Sequence, residues 1–234
     1  MIKIKHPTFE TELPSNGKQI TYRPFLVKEE KILLLAKESK EVRDIYNAVR
    51  QVVTNCVITK GFSVDKISTF DMEYLFLRIF SKSVTNSLKI AYLDMNDNKE
   101  YQFTVDLDKV EIIKDPEHTH KFKVNDDVGV VMRYPYVSMV DRLPEQLDDI
   151  QLTIQLIKEC VEKVWDNEEV LDFQEQTEED KETFLDDLPM LGYEKMKKFF
   201  ETSPHMYYKI EYTNANGKEQ KIEFRSLEDF FSFS

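Results

Sequence analysis

Apolar residues recur along this chain with two different periods, and the changes of period divide it. From Lys28 to Lys82 the spacing is helical, from Leu88 to Met132 it is two, and helical spacing returns after Pro135. The first part predicts three core helices. Lys28–Ser39 carries a continuous apolar run from Ile32 to Ala36, with Glu29 and Glu30 in the front turn, where carboxylates suit the helix dipole. Glu41–Ile58 is strongly amphipathic: Val42, Ile45, Tyr46, Val49, Val52, Val53, Cys56 and Val57 line one face, and Lys60-Gly61 is expected to close the helix. Ser68–Lys82 differs from both. Phe70, Met72, Leu75, Phe76, Leu77, Ile79 and Phe80 leave it apolar almost all round, which predicts a helix covered on several sides, with Ser68 as its N-cap. Its single polar strip of Asp71, Tyr74 and Arg78 is either a partner contact or a salt link satisfied at the edge of the core.

The period-two segments predict short strands at Leu88–Leu93, Tyr101–Val105, Val110–Ile113, Lys121–Val124 and Val128–Met132, an antiparallel meander. Tyr136–Leu143 predicts a turn or two of helix. Asp148–Trp165 predicts a long helix with Ile150, Ile154, Ile157, Val161 and Val164 on one face. Shorter helices follow at Glu178–Leu188, capped by Thr177 and Asp180, and around Tyr193, Met196, Phe199 and Phe200. Hairpins are expected at both ends, Phe9–Phe25 around Asn16-Gly17 and Met206–Arg225 around Asn216-Gly217. The two share the order Asn-Gly-Lys, strand, Arg and acidic helix start, which hints at similar supersecondary units. The fold class is therefore α+β, with an N-terminal hairpin and three helices beside a meander, then a helical C-terminal part ending in a hairpin. The expected division is 1–143 and 144–234, or one continuous unit.

Charge changes this picture in one place. The 234 residues carry a net charge of -12, and between Asp166 and Asp187 eleven acidic residues face one lysine, Lys181. That segment is either a solvated connector or a docking strip for a basic surface, with Glu178, Glu179 and Asp180 as contact residues. The acidic balance argues against holding nucleic acid through its phosphates. No apolar run reaches the ~18 residues of a membrane span, and the N-terminal Met-Ile-Lys-Ile-Lys-His-Pro lacks the apolar stretch of a secretory signal. Cys56 and Cys160 fall at apolar helical positions and are expected as free, packed thiols in a reducing cytoplasm.

Little in the chain points to chemistry. Five isolated glycines permit no Gly-rich phosphate loop. His118-Thr-His120 has no third metal ligand near it in sequence. Asp106…Glu111-Ile-Ile-Lys114 mimics a nuclease strand, but a spacing of three puts Glu111 and Lys114 on opposite faces. No cofactor is expected, and an enzyme is not.

Arg23-Pro-Phe-Leu-Val-Lys-Glu-Glu-Lys-Ile-Leu-Leu-Leu-Ala-Lys-Glu-Ser39, with Leu13-Pro-Ser-Asn-Gly-Lys18, Asn55-Cys-Val57, and Phe70-Asp-Met-Glu-Tyr-Leu-Phe-Leu77…Ser81-Lys-Ser-Val84, resembles the T-even-like phage baseplate protein family. The resemblance covers about the first ninety residues well and the meander loosely, and the segment after Pro144 is not matched. It implies a non-enzymatic protein of the hub region of a contractile tail baseplate, or of its assembly. The implied partners are other baseplate or hub proteins, met in the host cytoplasm during assembly, and the virion baseplate is its place if it stays in the finished particle. The motif positions carried over are Arg23, Pro24, Phe25, Glu29, Glu30 and Lys31, then Asp71, Glu73, Tyr74 and Leu75. A metal-dependent phage enzyme such as a nuclease is the alternative.

Overall fold

The computed structural model describes residues 4–39, 41–144 and 147–232; Met1–Lys3, in the stretch read above for a leader, lie outside them, as does the side chain of Val42. In chain order the elements are β1 (Phe9–Glu12), β2 (Gln19–Tyr22), α1 (Val27–Ser39), α2 (Val42–Cys56), α3 (Thr69–Ser83), β3 (Ser87–Asp94), β4 (Lys99–Asp106), β5 (Glu111–Ile113), β6 (Lys121–Lys123) and β7 (Gly129–Met132). Then come α4 (Asp149–Cys160), β8 (Val161–Trp165), β9 (Val170–Asp172), α5 (Glu178–Asp186), α6 (Met190–Glu201), β10 (His205–Thr213), β11 (Glu219–Phe224) and α7 (Leu227–Ser232). Every pairing between these strands is antiparallel, so the protein is α+β. Among the described residues no helix is long and apolar enough to cross a membrane.

The chain forms two compact units, residues 1–113 with 204–234, and residues 114–203. Position 143/144 lies inside the second unit. The reason is a strand pairing: β5 pairs with β10, Met206 opposite Ile112, which returns the C-terminal hairpin to the first unit. The strands from Leu88 to Met132 are accordingly shared among three sheets, β3-β4, β11-β10-β5 and β6-β7-β8-β9.

In the first unit α3 is the central element. Ser68 Oγ accepts the Asp71 N–H at 3.2 Å, starting the helix where the sequence placed its cap. Leu77, fully buried, packs in a cluster with Leu88, Ile90, Val105, Leu107, Met206, Phe224 and Phe230. The N-terminal hairpin turns at Gly17 with φ 72°, a conformation glycine adopts without strain. The end of α2 lies before the expected Lys60-Gly61 stop. Residues 57–59 leave the helix because the backbone of β2 claims them: Ile58 N–H donates to the Thr21 carbonyl at 2.9 Å, and Thr21 N–H to Thr59 Oγ1 at 2.7 Å.

A polar lock ties the tips of two hairpins. Asp94, 1% exposed, accepts from Tyr212 Oη at 2.9 Å, Asn214 Nδ2 at 3.1 Å and the Asn96 N–H at 2.7 Å. Burial favours the neutral acid, but these donors overcome it and hold the Asp94 carboxyl below its usual range.

In the second unit the long helix expected over Asp148–Trp165 stops at Cys160, and the chain turns directly into β8. Helical spacing of Val161 and Val164 coincides with a strand whose backbone pairs on both sides, with β7 and β9. Trp165 lies over Gly129, where an added Cβ would collide with the indole. The core of this unit holds Val130, Met132, Ile157, Cys160, Val161, Phe173, Met196 and Phe199.

Candidate functional site

The acidic segment is built around α5. Thr177 Oγ1 accepts the Asp180 N–H at 3.1 Å and donates to Asp180 Oδ2 at 2.6 Å, the cap read from the sequence. Glu178, Glu179 and Asp180 fill the first turn, where the helix dipole favours negative charge. They are not equivalent. Glu178 meets Lys158 Nζ at 2.8 Å and Lys181 Nζ at 3.0 Å; these ammonium groups hold its carboxyl low, and the Glu178 carboxylate, with Glu182, raises Lys158 above the usual lysine range. Asp180 is engaged by the cap. Glu179 is exposed, and its carboxylate has no hydrogen bond or ion pair with the described residues.

The lysines downstream do not neutralise this segment: Lys195 donates to the Lys123 carbonyl, Lys197 pairs with Glu201, and Lys198 with Glu117. Lys158 was not singled out in the sequence. Its position in the last turn of α4, with Glu182 also 3.2 Å away, could not be read without knowing that α4 and α5 lie together.

Charge is distributed unequally at the larger scale too. Residues 1–113 with 204–234 hold 21 basic and 21 acidic side chains, whereas residues 114–203 hold 11 and 23. The net charge of -12 therefore belongs to the second unit.

In the polar strip of α3, Asp71 is buried and Tyr74 and Arg78 are half-buried. Asp71 accepts from Ser15 N–H at 3.0 Å and Ser15 Oγ at 2.5 Å, so it is a brace for the N-terminal hairpin and not a surface contact. Tyr74 Oη lies 3.3 Å from Thr11 Oγ1 on the same hairpin. Arg78 donates to the carbonyls of Leu107 at 3.2 Å and Val110 at 2.9 Å, and its guanidinium lies over the Tyr74 ring. Asp71 and Tyr74 thus fasten α3 to the N-terminal hairpin, and Arg78 fastens it to residues 107–110.

The motif around Arg23 is a second brace. Glu29, with no exposed surface, accepts from Arg23 Nη2 at 3.0 Å and from the Leu26 N–H at 2.9 Å. Arg23 also donates to the Pro24 and Asn55 carbonyls. Burial pushes the Glu29 carboxyl up; Arg23, the Leu26 N–H and Lys28 outweigh it and leave it below its usual range. Phe25 is buried, its ring 6.1 Å from Phe80 and its N–H bonded to Ser83 Oγ. Glu30 and Lys31 are exposed, and Leu75 is fully buried in α3. Glu73 accepts the Leu227 N–H at the start of α7 at 3.4 Å.

The residues weighed for chemistry are placed apart or in the core. His118 stacks on Tyr134, and His120 meets Tyr134 and Phe199 edge-on, His120 Nδ1 bonding the Met132 carbonyl at 2.7 Å. Asp106 caps a short 3-10 turn at Asp108. Among the described residues no group of three His, Cys, Asp or Glu side chains is placed to hold a metal ion. An open cleft of about 380 Å³ runs along α2, lined by Asn47, Arg50, Thr54, Thr59 and Asp65, with Arg50 and Asp65 paired across it at 2.6 Å.

The chain belongs to the T4 bacteriophage base plate protein family, whose family model matches residues 6–232. It is a structural protein of a phage tail baseplate, and membership implies interaction with other baseplate proteins. No curated protein and no solved structure matches it.

Proposed function

We propose that the protein acts in the hub region of a contractile tail baseplate, or in assembling that region, by docking the acidic surface of its second unit onto a basic surface of another baseplate protein. The observation that supports this is the charge division: the first unit is balanced, and the whole excess of twelve negative charges lies in residues 114–203. Concentrated like charge opposes folding through self-repulsion, and it favours association with a surface of opposite sign. Eleven of those carboxylates lie between Asp166 and Asp187, beside a single lysine that is already paired with Glu178.

The test uses the full chain, with Glu178, Glu179 and Asp180 changed together to their amides, to capture baseplate precursor complexes from infected cells. Expected is a folded variant with a melting temperature no more than a few degrees below the parent, since the exposed Glu178 gives up its pairs with Lys158 and Lys181, and exposed ion pairs contribute little. Capture should weaken and its dependence on salt should flatten. If the variant unfolds while capture per folded molecule is unchanged, the segment is an internal brace. Finding the protein in mature tails would assign it to the finished baseplate, and finding it only in precursors would assign it to assembly.

A further inference from the structure

We propose that the outer edge of β9 takes up an extended, basic segment of a neighbouring protein as an added strand, a proposal that rests on the docking reading above and gives it a place and a mode. β9 ends the sheet β6-β7-β8-β9 and, among the described residues, pairs only with β8. The Asp166 N–H donates to the Glu169 carbonyl and the Phe173 N–H to the Glu162 carbonyl, so hydrogen-bonded pairs recur at 166/169, 164/171 and 162/173. Between them, Val170 and Asp172 turn their backbone groups away from β8. The Asp172 carbonyl accepts from Gln176 Nε2 at 2.9 Å, which leaves the Val170 N–H, the Val170 carbonyl and the Asp172 N–H directed outward.

The side chains point to the same vacancy. All three residues of β9 are exposed, Val170 at 64% and Leu171 at 41%. Leu171 stands opposite Val164, which packs against the core cluster of this unit, so an added strand would extend that apolar face over Leu171. A peptide adding to a sheet edge gains affinity from main-chain bonds and specificity from alternate side chains.

Charge selects the occupant. Residues 166–175 hold Asp166, Glu168, Glu169, Asp172 and Glu175 and no lysine or arginine. Two copies joined edge to edge would bring these carboxylates together, and flanking charge of this kind is how sheet edges avoid self-pairing. A strand carrying lysine or arginine meets no such barrier. Asp166 is partly spent on the turn, accepting the N–H groups of Glu168 and Glu169 at 2.9 and 2.8 Å, which holds the β8–β9 hairpin in shape.

The test is a titration of the full-length protein with three synthetic peptides of about eight residues, the length of an ordinary strand. One alternates Lys and Val, one has the same charge but alternates Lys and Pro, and one alternates Glu and Val. The Lys-Val peptide should bind, slow amide exchange at Val170 and Asp172, and lose affinity with salt. The Lys-Pro peptide, which loses the N–H of every second residue and is biased by its prolines away from a flat strand, should bind at least roughly tenfold more weakly, and the Glu-Val peptide not at all. Val170→Pro removes an outward N–H that β8 does not use, so it should reduce Lys-Val binding to the Lys-Pro level without changing the circular dichroism. Equal binding of the two basic peptides, with no protection at Val170, overturns strand addition and leaves charge docking standing. Binding indifferent to Glu168→Gln, Glu169→Gln and salt overturns the basic occupant. Failure of all three peptides overturns strand addition, whereas the docking reading falls only if the α5 amide variant captures precursors like the parent. Exchange protection in the unaltered protein decides the matter if Val170→Pro fails to fold.

Discussion

Arg23 Nη2 and Glu29 Oε1 meet at 3.0 Å with the carboxylate fully buried, and the same guanidinium nitrogen reaches the Asn55 carbonyl near the end of α2, also at 3.0 Å. One ion pair therefore joins the exit of β2, the first turn of α1 and the last turn of α2. Removing one member of a buried pair leaves the other charge uncompensated, so Arg23→Met should cost ~3–5 kcal/mol in denaturant unfolding. The pair also has a pH signature. Glu29 titrates below its ordinary value of 4.5, so its stabilisation is present above that pH and is lost as pH falls through the lower folded value. Arg23→Met should remove most of that acid-side loss. A parent-like acid melting profile would show that the pair is not the source.

Glu73 behaves in the opposite sense. Burial, and then the nearby Asp229 and Glu228, push its carboxyl up to about 7 against the pull of the Leu227 N–H. A raised folded pKa gives stability that is complete below the ordinary 4.5 and is lost as pH rises through about 7. Glu73→Gln should therefore raise the melting temperature above neutral pH and change it little in acid. Parallel melting curves for parent and variant across that range would contradict this placement of Glu73.

Leu77 is fully buried on α3 among residues from β3, β4, β10, β11 and α7. Leu77→Ala should cost ~2–5 kcal/mol, the range for a large-to-small change in a packed core. A loss below ~1 kcal/mol, small by that same scale, would mean that α3 is not central.

Cys56 and Cys160 are free and buried, and burial pushes their thiols up to about 11 and about 12. Thiolate is the reactive form, so at neutral pH both should react with a disulfide reagent far more slowly than after unfolding. Rapid labelling of either in the folded protein would show an opening that the packing does not provide.

Local signals account for most of what the sequence disclosed. The α3 cap, the Thr177–Asp180 cap and the Gly17 and Gly217 turns rest on chemistry within four residues, and each stands where the sequence put it. The path from α4 into β8 was hidden because the i, i+3 spacing of Val161 and Val164 continues the helical rhythm of α4, and only pairing with β7 and β9 overrides it. Pairing across long separations was equally hidden. Nothing near Glu111–Ile113 announces β10, and nothing near Asp94 announces Tyr212 and Asn214. At the candidate site, the acidic density was visible, whereas the division of labour among Glu178, Glu179 and Asp180 depends on Lys158 from a different helix.

The echo between the two terminal hairpins acquires a physical form. The Leu26 N–H is held by the Glu29 carboxylate at 2.9 Å, and the Ser226 N–H by the Asp229 carboxylate, also at 2.9 Å, each three residues ahead at the start of a helix.

The pairing of β5 with β10 has a consequence for the order in which the protein is made. Ribosomal synthesis delivers β5 long before β10, with the whole of residues 114–203 between them. The second unit holds all its own strands and helices in one continuous stretch, so it can fold while the first still lacks its last sheet partners. Until β10 and β11 emerge, Ile112 has no Met206 opposite it, and the α3 cluster lacks Phe224 and Phe230. The nascent first unit therefore lacks part of its core until residues 205–230 have been made, the interval in which a chaperone would find apolar surface to bind.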